Sequence, residues 1–425
     1  RSQFLSKSIK SGENMKNKWQ KGLTLAAVSL TLAGCLNNLE AENTKKPVVG
    51  PNQVVVQTTQ NQLSSENYRA VISNGRYQLG VASSSDSNLS SAGNIRAFEE
   101  GLLRIAKGVF PTNQYFLQEG TLINLETMTR WMGRESDDNP EGLNPRLPDD
   151  AEQQRKAEST ISAQSSESSQ EESSSAESSS NDQVITDAAA TPIYLAQIME
   201  KDIMVETNDG YSLSGIVIGL AMNSEYQYTD SNNVVHRQEI SIGEMRERGK
   251  AYANTIVGRL RATPELRSVP ISVAIFSQAP ANNVVGGTFV LDGISREGNA
   301  VTDWTEHNES RALLPFVGTN QGSNDQYPGF EEFRTKVSDF FPKLNGITAE
   351  ALNINGSLAS LKINIVTQFY DLTEITALTQ HVTDVAQNTF PEGLDLQVRI
   401  ESSEGTEAVI TKPAGSNQYQ SQILK

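Results

Sequence analysis

The chain has 425 residues, a formal net charge of −16 and a pI near 4.8. Nucleic acid is excluded as a partner, because phosphate binding requires clustered lysines and arginines and the sequence contains no such cluster. The hydrophobic content of 37% is low for one globular domain, and a long polar tract accounts for the deficit.

A short basic segment and an apolar run occupy residues 15–34. Lys16, Lys18 and Lys21 come first, and residues 22–32 are then apolar or small apart from a few hydroxyl side chains. The run has about half of the ~20 residues that a membrane-spanning helix needs, a length typical of a secretory signal. Residues 1–14 precede the expected initiator, Met15, and we interpret them as a start-site artefact.

The apolar run ends at Leu32, Ala33, Gly34 and Cys35, the only cysteine of the chain. This ending resembles the lipobox of bacterial lipoproteins, in which the cysteine thiol receives a diacylglycerol and a peptidase cuts between Gly34 and Cys35. The alternative is a buried free cysteine on a core helix. The lipobox predicts lipoprotein-processing enzymes as partners, a membrane anchor of acyl chains such as palmitate, and no other cofactor. It leaves the exported part without a cysteine for disulfides or metals.

Two segments of the exported part are predicted to remain outside the fold. Residues 35–64 are polar without periodicity and form a tether. Residues 149–183 consist mainly of Ser, Glu and Gln and are predicted to form a disordered linker, because they cannot bury enough apolar surface to offset their ordering entropy. We favour a passive spacer over a phosphorylated or glycosylated stalk.

A smaller α+β unit is predicted between the two segments, at residues 65–148. It contains a hairpin turn at Asn74-Gly75. Apolar side chains then recur at helical spacing and line one face of a helix that ends near Pro111, namely Ile95, Phe98, Leu102, Ile105 and Val109. Leu125, Met128 and Trp131 predict a second helix.

Residues 184–425 contain a weak internal repeat of strand, helix and strand. The first block has strands at 212–223 and 269–278, and the second has strands at 357–369 and 394–403. Apolar residues at helical spacing predict one helix in each block, with Met245, Tyr252, Ile256 and Leu260 in the first and Ile375, Leu378, Val382 and Val385 in the second. Asn355-Gly356 predicts a hairpin that enters the second block, and residues 330–341 predict a further amphipathic helix. The fold class is therefore α+β, with two similar lobes whose helices pack on one face of a mixed sheet.

Motifs that carry catalysis or bind metal are not apparent. The three histidines, His236, His307 and His381, share no ligand spacing, so no metal site is predicted. Gly286-Gly287 is too short for a phosphate-binding loop and is interpreted as a turn before a strand. No serine stands next to a plausible base, so no catalytic residue is predicted.

Polar and aromatic groups cluster at the ends of predicted strands, where loops commonly carry binding groups. They suggest a pocket formed by Ser277, Gln278, Pro280, Trp304, Gln368 and Tyr370. The alternative, which we favour, is ordinary turn chemistry with Trp304 and Tyr370 as core anchors.

Long stretches of the chain resemble the CamS family, the sex-pheromone-precursor lipoproteins of Firmicutes. They include "FEEGLLRIAKGVFPTNQYFLQEG", "GLNPRLP", "PIYLAQIMEKD", "GIVIGLAMNSEYQY", "RGKAYANTIVGRLR", "VPISVAIFSQAP", "DWTEHNE" and "KINIVTQFYDLTEI", in the order of the family. The serine-rich tract at residues 149–183 is interpreted as an expansion at a linker.

The resemblance implies that the signalling activity belongs to the signal peptide. In this family a hydrophobic heptapeptide or octapeptide is released from the end of the signal and induces conjugative plasmid transfer after a receptor in a neighbouring cell binds it. The equivalent residues here are Ala27, Val28, Ser29, Leu30, Thr31, Leu32 and Ala33. The implied location is the extracellular face of a Gram-positive membrane, with a non-enzymatic body. An extracytoplasmic ligand-binding lipoprotein is the alternative, and an envelope enzyme would require a buried carboxylate or histidine cluster that the sequence does not display.

Overall fold

The fold is that of a computed structural model, which describes residues 56–58, 66–73, 80–81, 88–148, 191–208, 210–229, 234–317, 326–341, 344, 346–368 and 371–424. The signal segment with Cys35, the Asn74-Gly75 turn and the linker at residues 149–183 lie outside the described residues. The body forms a unit from Gln57 to Lys425. None of the helices in the described part of the chain has the length and hydropathy needed to cross a membrane.

An eight-stranded sheet, in the order β1-β2-β3-β4-β5-β8-β9-β10, forms the first lobe. Its strands are β1 (Val56–Thr58), β2 (Arg69–Ser73), β3 (Phe116–Glu119), β4 (Leu195–Thr207), β5 (Gly210–Met222), β8 (Ile271–Ser277), β9 (Thr288–Ser295) and β10 (Thr302–Glu306). The strands of the predicted N-terminal unit extend this sheet, because β3 pairs antiparallel with β4 and parallel with β2. A separate two-stranded ribbon is formed by β6 (Glu225–Thr229) and β7 (Val235–Glu239).

A six-stranded sheet, in the order β11-β12-β13-β14-β15-β16, forms the second lobe. Its strands are β11 (Glu309–Leu314), β12 (Gly346–Ile354), β13 (Ser357–Val366), β14 (Asp395–Ser402), β15 (Gly405–Lys412) and β16 (Gln420–Ile423). The described α-helices are α1 (Ala92–Val109), α2 (Leu125–Met132), α3 (Ile242–Arg261), α4 (Pro328–Phe340) and α5 (Leu372–Thr389). All five contain apolar positions that the sequence periodicity marks.

The predicted repeat is confirmed as two copies of one topology. In the first lobe β5 runs through α3 to the parallel strand β8, with β4 and β9 antiparallel on either side. In the second lobe β13 runs through α5 to the parallel strand β14, with β12 and β15 antiparallel on either side. The predicted Asn355-Gly356 turn joins β12 to β13, with positive φ angles of 53° and 79° that suit a tight hairpin.

The first lobe has helices on both faces of its sheet, which differs from the predicted one-sided packing. Ile218 and Ile275 face α2 and α3, whereas Val217 and Phe276 face α1 in a separate apolar cluster. Burial on both faces explains why β5 is a nearly continuous apolar run rather than an alternating one. In the second lobe α4 and α5 pack on one face of the sheet, as predicted.

Helix α1 lies between the two lobes. Its apolar side packs Phe98 against Phe276 and Phe289 in the first sheet, with ring centroids 5.1 and 6.0 Å apart. Its charged side faces the second sheet, where Arg96 contacts Glu350 at 3.3 Å and Lys362 contacts Glu100 at 2.7 Å. The two lobes are therefore joined through a helix that presents an apolar surface to one and ion pairs to the other.

Two glycines on α1 provide a matched test of its packing. A Cβ on Gly101 would lie 2.4 Å from the Phe289 ring, whereas one on Gly108 would have nothing within 4 Å. Gly101→Ala is expected to lower the free energy of unfolding by about 1–3 kcal/mol through overpacking. Gly108→Ala is expected to leave it unchanged or raise it by up to about 1 kcal/mol, because alanine favours the helix. Urea unfolding of the full chain, followed by circular dichroism, measures both. Equal effects of the two substitutions would contradict the placement of α1.

Candidate functional site

A shallow pocket of about 250 Å³ lies where β5 and β8 end. Asn223 directly follows β5 and Gln278 directly follows β8, so both lie at the carboxyl edge of parallel strands, where α/β folds commonly bind ligands. The lining residues are Ser90, Ile193, Asn223, Ser224, Glu225, Tyr226, Gln227, Gln278, Ala279, Pro280 and Ala281. Two residues of the predicted pocket, Gln278 and Pro280, are therefore brought together here.

The other predicted pocket residues lie elsewhere. Ser277 pairs with Thr288 as the last residue of β8. Trp304 is on β10, where it packs against the core beneath α3 with the Lys250 ammonium 5.6 Å from its ring. Gln368 follows β13 in the second sheet, and Tyr370 lies outside the described residues. The repeat explains the position of Gln368, because it places the two equivalent strand ends in different sheets.

Side-chain amides form the floor of the pocket. The Gln278 side chain accepts a hydrogen bond from the backbone amide of Ser90 at 3.0 Å and donates one to the side-chain Oδ1 of Asn223. Asn223 in turn donates to the carbonyl of Ile193 at 2.7 Å. The pocket floor is therefore fixed by the protein's own hydrogen bonds before any ligand arrives.

Asn94, on the first turn of α1, connects the pocket wall to the helix, and sequence reasoning did not identify it. It is fully buried, and its Oδ1 accepts from the amides of Ala279 and Gly287 at 2.9 and 2.8 Å. Its Nδ2 donates to the Ser90 hydroxyl and the Ala279 carbonyl at 2.8 and 2.9 Å. All four bonding positions of the amide are used, and three of the four bonds go to backbone groups of residues 279 and 287, which are remote in sequence, so local patterns gave no signal.

The Gly286-Gly287 pair lies in the loop directly before β9, which begins at Thr288, so the predicted position before a strand is confirmed. A Cβ on Gly286 would lie 2.2 Å from the Gly93 carbonyl oxygen, and one on Gly287 would lie 1.9 Å from the Ser277 carbonyl oxygen. Glycine is therefore required here by the close approach of the loop to α1 and β8.

The ribbon formed by β6 and β7 begins at the pocket, because Glu225, Tyr226 and Gln227 of β6 belong to the pocket lining. Tyr226, Tyr228 and His236 lie on one face of it, with ring centroids 6.0 Å apart for the tyrosines and 5.0 Å for Tyr228 and His236. The ring of Tyr226 also lines the pocket, so the aromatic row continues from the pocket outwards. The Ser224 hydroxyl at the base of the ribbon is buried without a hydrogen-bond partner in the described structure.

A buried carboxyl pair lies on β4, Glu200 and Asp202, with 3% and 1% of their surfaces exposed. Glu200 accepts hydrogen bonds from the amides of Leu122 and Ile123 at 2.9 Å, and Asp202 accepts from the Thr121 amide at 3.3 Å. The pKa of Asp202 is raised to about 9, mainly by burial and to a smaller extent by the negative charge of Glu200. Burial also raises the pKa of Glu200. At neutral pH the pair therefore retains a proton between its two carboxyl groups.

The three histidines have separate surroundings. His307 pairs with Asp292 at 2.5 Å, and Glu309 lies 4.0 Å from its other ring nitrogen. His381 stacks on Phe340 with ring centroids 4.0 Å apart, in an open groove of about 480 Å³ between α4 and α5. Within the described ranges, no group of three or more His, Cys, Asp or Glu side chains is arranged to hold a metal ion.

The family described as CamS sex pheromone cAM373 precursor matches residues 77–169 and 158–418. The chain belongs to the CamS family. Its two matched segments overlap within the serine-rich tract, where the sequence indicates an expanded linker. The matched range begins after Cys35, so the lipobox residues lie outside the family match as well as outside the described structure.

Two solved structures share the CamS fold. A sex pheromone precursor from Lactobacillus salivarius has 29% sequence identity and a TM-score of 0.70, with 87% of this chain and 99% of that chain covered. The C-terminal domain of the sex pheromone staph-cAM373 precursor from Staphylococcus aureus has 22% identity and a TM-score of 0.62, with 80% and 99% covered. No curated protein sequence matches the chain.

The carboxyl pair of this CamS chain predicts a specific pH dependence of stability. The pKa of Asp202 rises from its ordinary 3.8 to about 9 on folding, so the folded chain binds more protons between those values. Its contribution to stability is complete below about pH 4 and is lost as the pH rises towards 9. Asp202→Asn keeps the shape and removes the ionisation. We expect it to be more stable than the parent by about 1–3 kcal/mol at pH 8 and equal to it at pH 4.

Chemical denaturation of the full chain between pH 4 and 9 measures this difference. Asp202→Ala is the companion variant, because it removes the same ionisation but leaves the Thr121 amide without its acceptor. It should show the same flattened pH dependence with a free energy of unfolding lower by about 1–3 kcal/mol at every pH. A parental pH dependence in Asp202→Asn would show that the pair does not retain a proton.

Proposed function

We propose that the chain is a lipid-anchored cell-surface precursor whose signal segment releases a peptide pheromone and whose body is a non-enzymatic binding module. The match of residues 77–418 to a family of pheromone precursors carries this proposal. It supports a secreted or surface protein, and the lipobox-like ending at Cys35 supports the finer location on the extracellular face of a Gram-positive membrane.

The anchor and the peptide come from adjacent residues. A thioether-linked diacylglycerol on Cys35, together with a further acyl chain, holds a protein at a membrane far better than one chain does. Cleavage before Cys35 separates this anchor from residues 27–33, "AVSLTLA". That heptapeptide is uncharged and mostly apolar, properties that suit transfer through membranes and a fit into an apolar receptor groove.

The proposal of a non-enzymatic body draws support from how its buried polar groups are used. Glu200 and Asp202 are a buried carboxyl pair, but both are almost fully enclosed and bind backbone amides of residues 121–123. Asn94 and Gln278 use their amides to hold loops together. These arrangements serve the fold and do not present a reactive group to a substrate.

A second candidate function for the body is extracytoplasmic ligand binding. The pocket at the ends of β5 and β8 favours it, because a concave site with convergent polar groups occupies the edge of the sheet where such folds bind ligands.

Removal of the thiol tests the anchor. Cys35→Ala is expected to abolish incorporation of labelled palmitate and to leave an unprocessed precursor, because the acyl transfer requires the cysteine sulfur. Ser29→Ala, in the same apolar run but outside the lipobox, should retain labelling. Metabolic labelling followed by electrophoresis measures both, and normal labelling of Cys35→Ala would refute the anchor.

Synthetic peptides test the pheromone. A heptapeptide of residues 27–33 is expected to raise plasmid transfer at nanomolar to micromolar concentrations in responder cells. A scrambled peptide of the same composition partitions equally into membranes but lacks the recognised order, so it should have no effect. Conjugation frequency is the measurement. An absence of response across several responder strains would eliminate signalling and leave the anchor proposal intact.

A further inference from the structure

We propose that the pocket at the carboxyl ends of β5 and β8 binds a neutral glycan carrying hydroxyl and acetamido groups, and that the β6–β7 ribbon extends the site along it. This inference rests on the ligand-binding function proposed above and names its ligand class. It is carried by the position of the ribbon, the chemistry of the lining and the size of the pocket.

The internal repeat shows that the ribbon is an addition at a binding position. In the second lobe residues 367–371 alone connect β13 to α5. In the first lobe the equivalent connection, from β5 to α3, spans residues 223–241 and contains β6 and β7. Both copies of the repeat fold, so the short connection is sufficient for the topology. The longer one therefore supplies something beyond the fold, next to the edge where α/β units bind ligands.

The polar lining suits an uncharged ligand rich in hydroxyl groups. The pocket is lined by the amides of Asn223, Gln227 and Gln278 and by the hydroxyls of Ser90 and Ser224, and none of the lining residues that the structure describes is a lysine or an arginine. Glu225 is acidic, and the whole chain carries a net charge of −16. Amides and hydroxyls both donate and accept hydrogen bonds, as sugar hydroxyls do. Arg134 lies beside the pocket, 3.4 Å from the Tyr226 hydroxyl, but its guanidinium is already bonded to the carbonyls of Pro145 and Thr191.

The Ser224 hydroxyl is an independent indication of a ligand. It is buried in the pocket wall, and it has no hydrogen-bond partner among the described residues. A buried hydroxyl without a partner costs free energy, which a bound hydroxyl or amide group would recover.

The remaining lining favours an acetamido group and a sugar ring. Ile193, Pro280 and Ala281 provide an apolar wall for a methyl group. The bonds that fix Asn223 and Gln278 use one hydrogen and one lone pair of each amide, so each amide has the capacity to pair with an acetamido amide as well. Tyr226 contributes an aromatic ring, the side-chain type that packs against the apolar face of a sugar. At about 250 Å³ the pocket is smaller than the ~300–1,000 Å³ typical of drug-sized ligands, so it accommodates one sugar unit. The row of Tyr228 and His236 then offers contacts to the next units of the chain.

Calorimetric titration of the full chain tests the inference with three probes: a tetramer of N-acetylglucosamine, a tetramer of glucose and an anionic tetramer of galacturonic acid. We expect the N-acetylglucosamine tetramer to bind at least tenfold more tightly than either of the others. Failure of this tetramer to bind would overturn the inference. Equal binding of the glucose tetramer would overturn the acetamido requirement, and tighter binding of the anionic tetramer would overturn neutrality.

Variants locate the binding. Ala281→Trp places a large side chain at the exposed rim of the pocket and should weaken affinity at least tenfold, whereas Ala251→Trp, on the exposed face of α3, should change it less than twofold. Ser224→Ala removes a hydroxyl that has no hydrogen-bond partner among the residues that the structure describes, so it should weaken affinity several-fold without lowering stability. Unchanged affinity in both pocket variants would place the glycan elsewhere and overturn the site.

Mass spectrometry of the tetramer after incubation separates this inference from the proposed function. Intact tetramer together with binding supports both. Shortened products would overturn the non-enzymatic body and leave glycan recognition standing. The peptide assay is performed without the body, so its outcome is independent of this titration.

Discussion

The structure depends on the two-sided packing of α1. Phe98 and its apolar neighbours bury one side of the helix against the first sheet, and Arg96 and Glu100 carry ion pairs to the second. Exposed ion pairs of this kind contribute little free energy each, so the apolar side holds the helix while the charged side sets the orientation of the second lobe. The same helix carries Asn94, whose buried amide fixes residues 279 and 287 of the pocket wall. One element thus contributes both to the contact between the lobes and to the shape of the pocket.

The two lobes share one topology but differ in what is added to it. Each has a parallel strand pair joined by a helix, with antiparallel strands on both sides. The first lobe is covered on its second face by α1 and carries the β6–β7 ribbon, while the second keeps a short connection at the equivalent position. The pocket and the β6–β7 ribbon therefore both lie on the first lobe, next to the strand ends that α1 and Asn94 hold in place.

Three consecutive residues of β4, Glu200, Lys201 and Asp202, carry buried ionisable side chains. Lys201 is almost fully buried, and its ammonium group lies 2.7 Å from both Glu99 and Glu119, so its charge is compensated. Glu200 and Asp202 point the opposite way and have backbone amides rather than a cation, so they retain a proton instead. Neighbouring residues of one strand are therefore accommodated in two ways, Lys201 by opposite charges and the carboxyl pair by backbone amides and a retained proton.

The sequence by itself determined the local elements. Apolar spacing located α1, α3 and α5, the Asn355-Gly356 dipeptide located a hairpin, and the small residues before Cys35 indicated a lipobox, because each signal depends on neighbours within a few positions. Only the tertiary structure decided which remote groups meet. Asn94 bonds to Gly287, and Glu200 bonds to the amide of Ile123. The strands of the N-terminal unit also joined the first sheet. Periodicity shows that a face is apolar but not what covers it. The tertiary structure was therefore needed to identify the partners of α1. It was also needed to show that the predicted pocket residues are split between two sheets and that the carboxyl pair on β4 retains a proton.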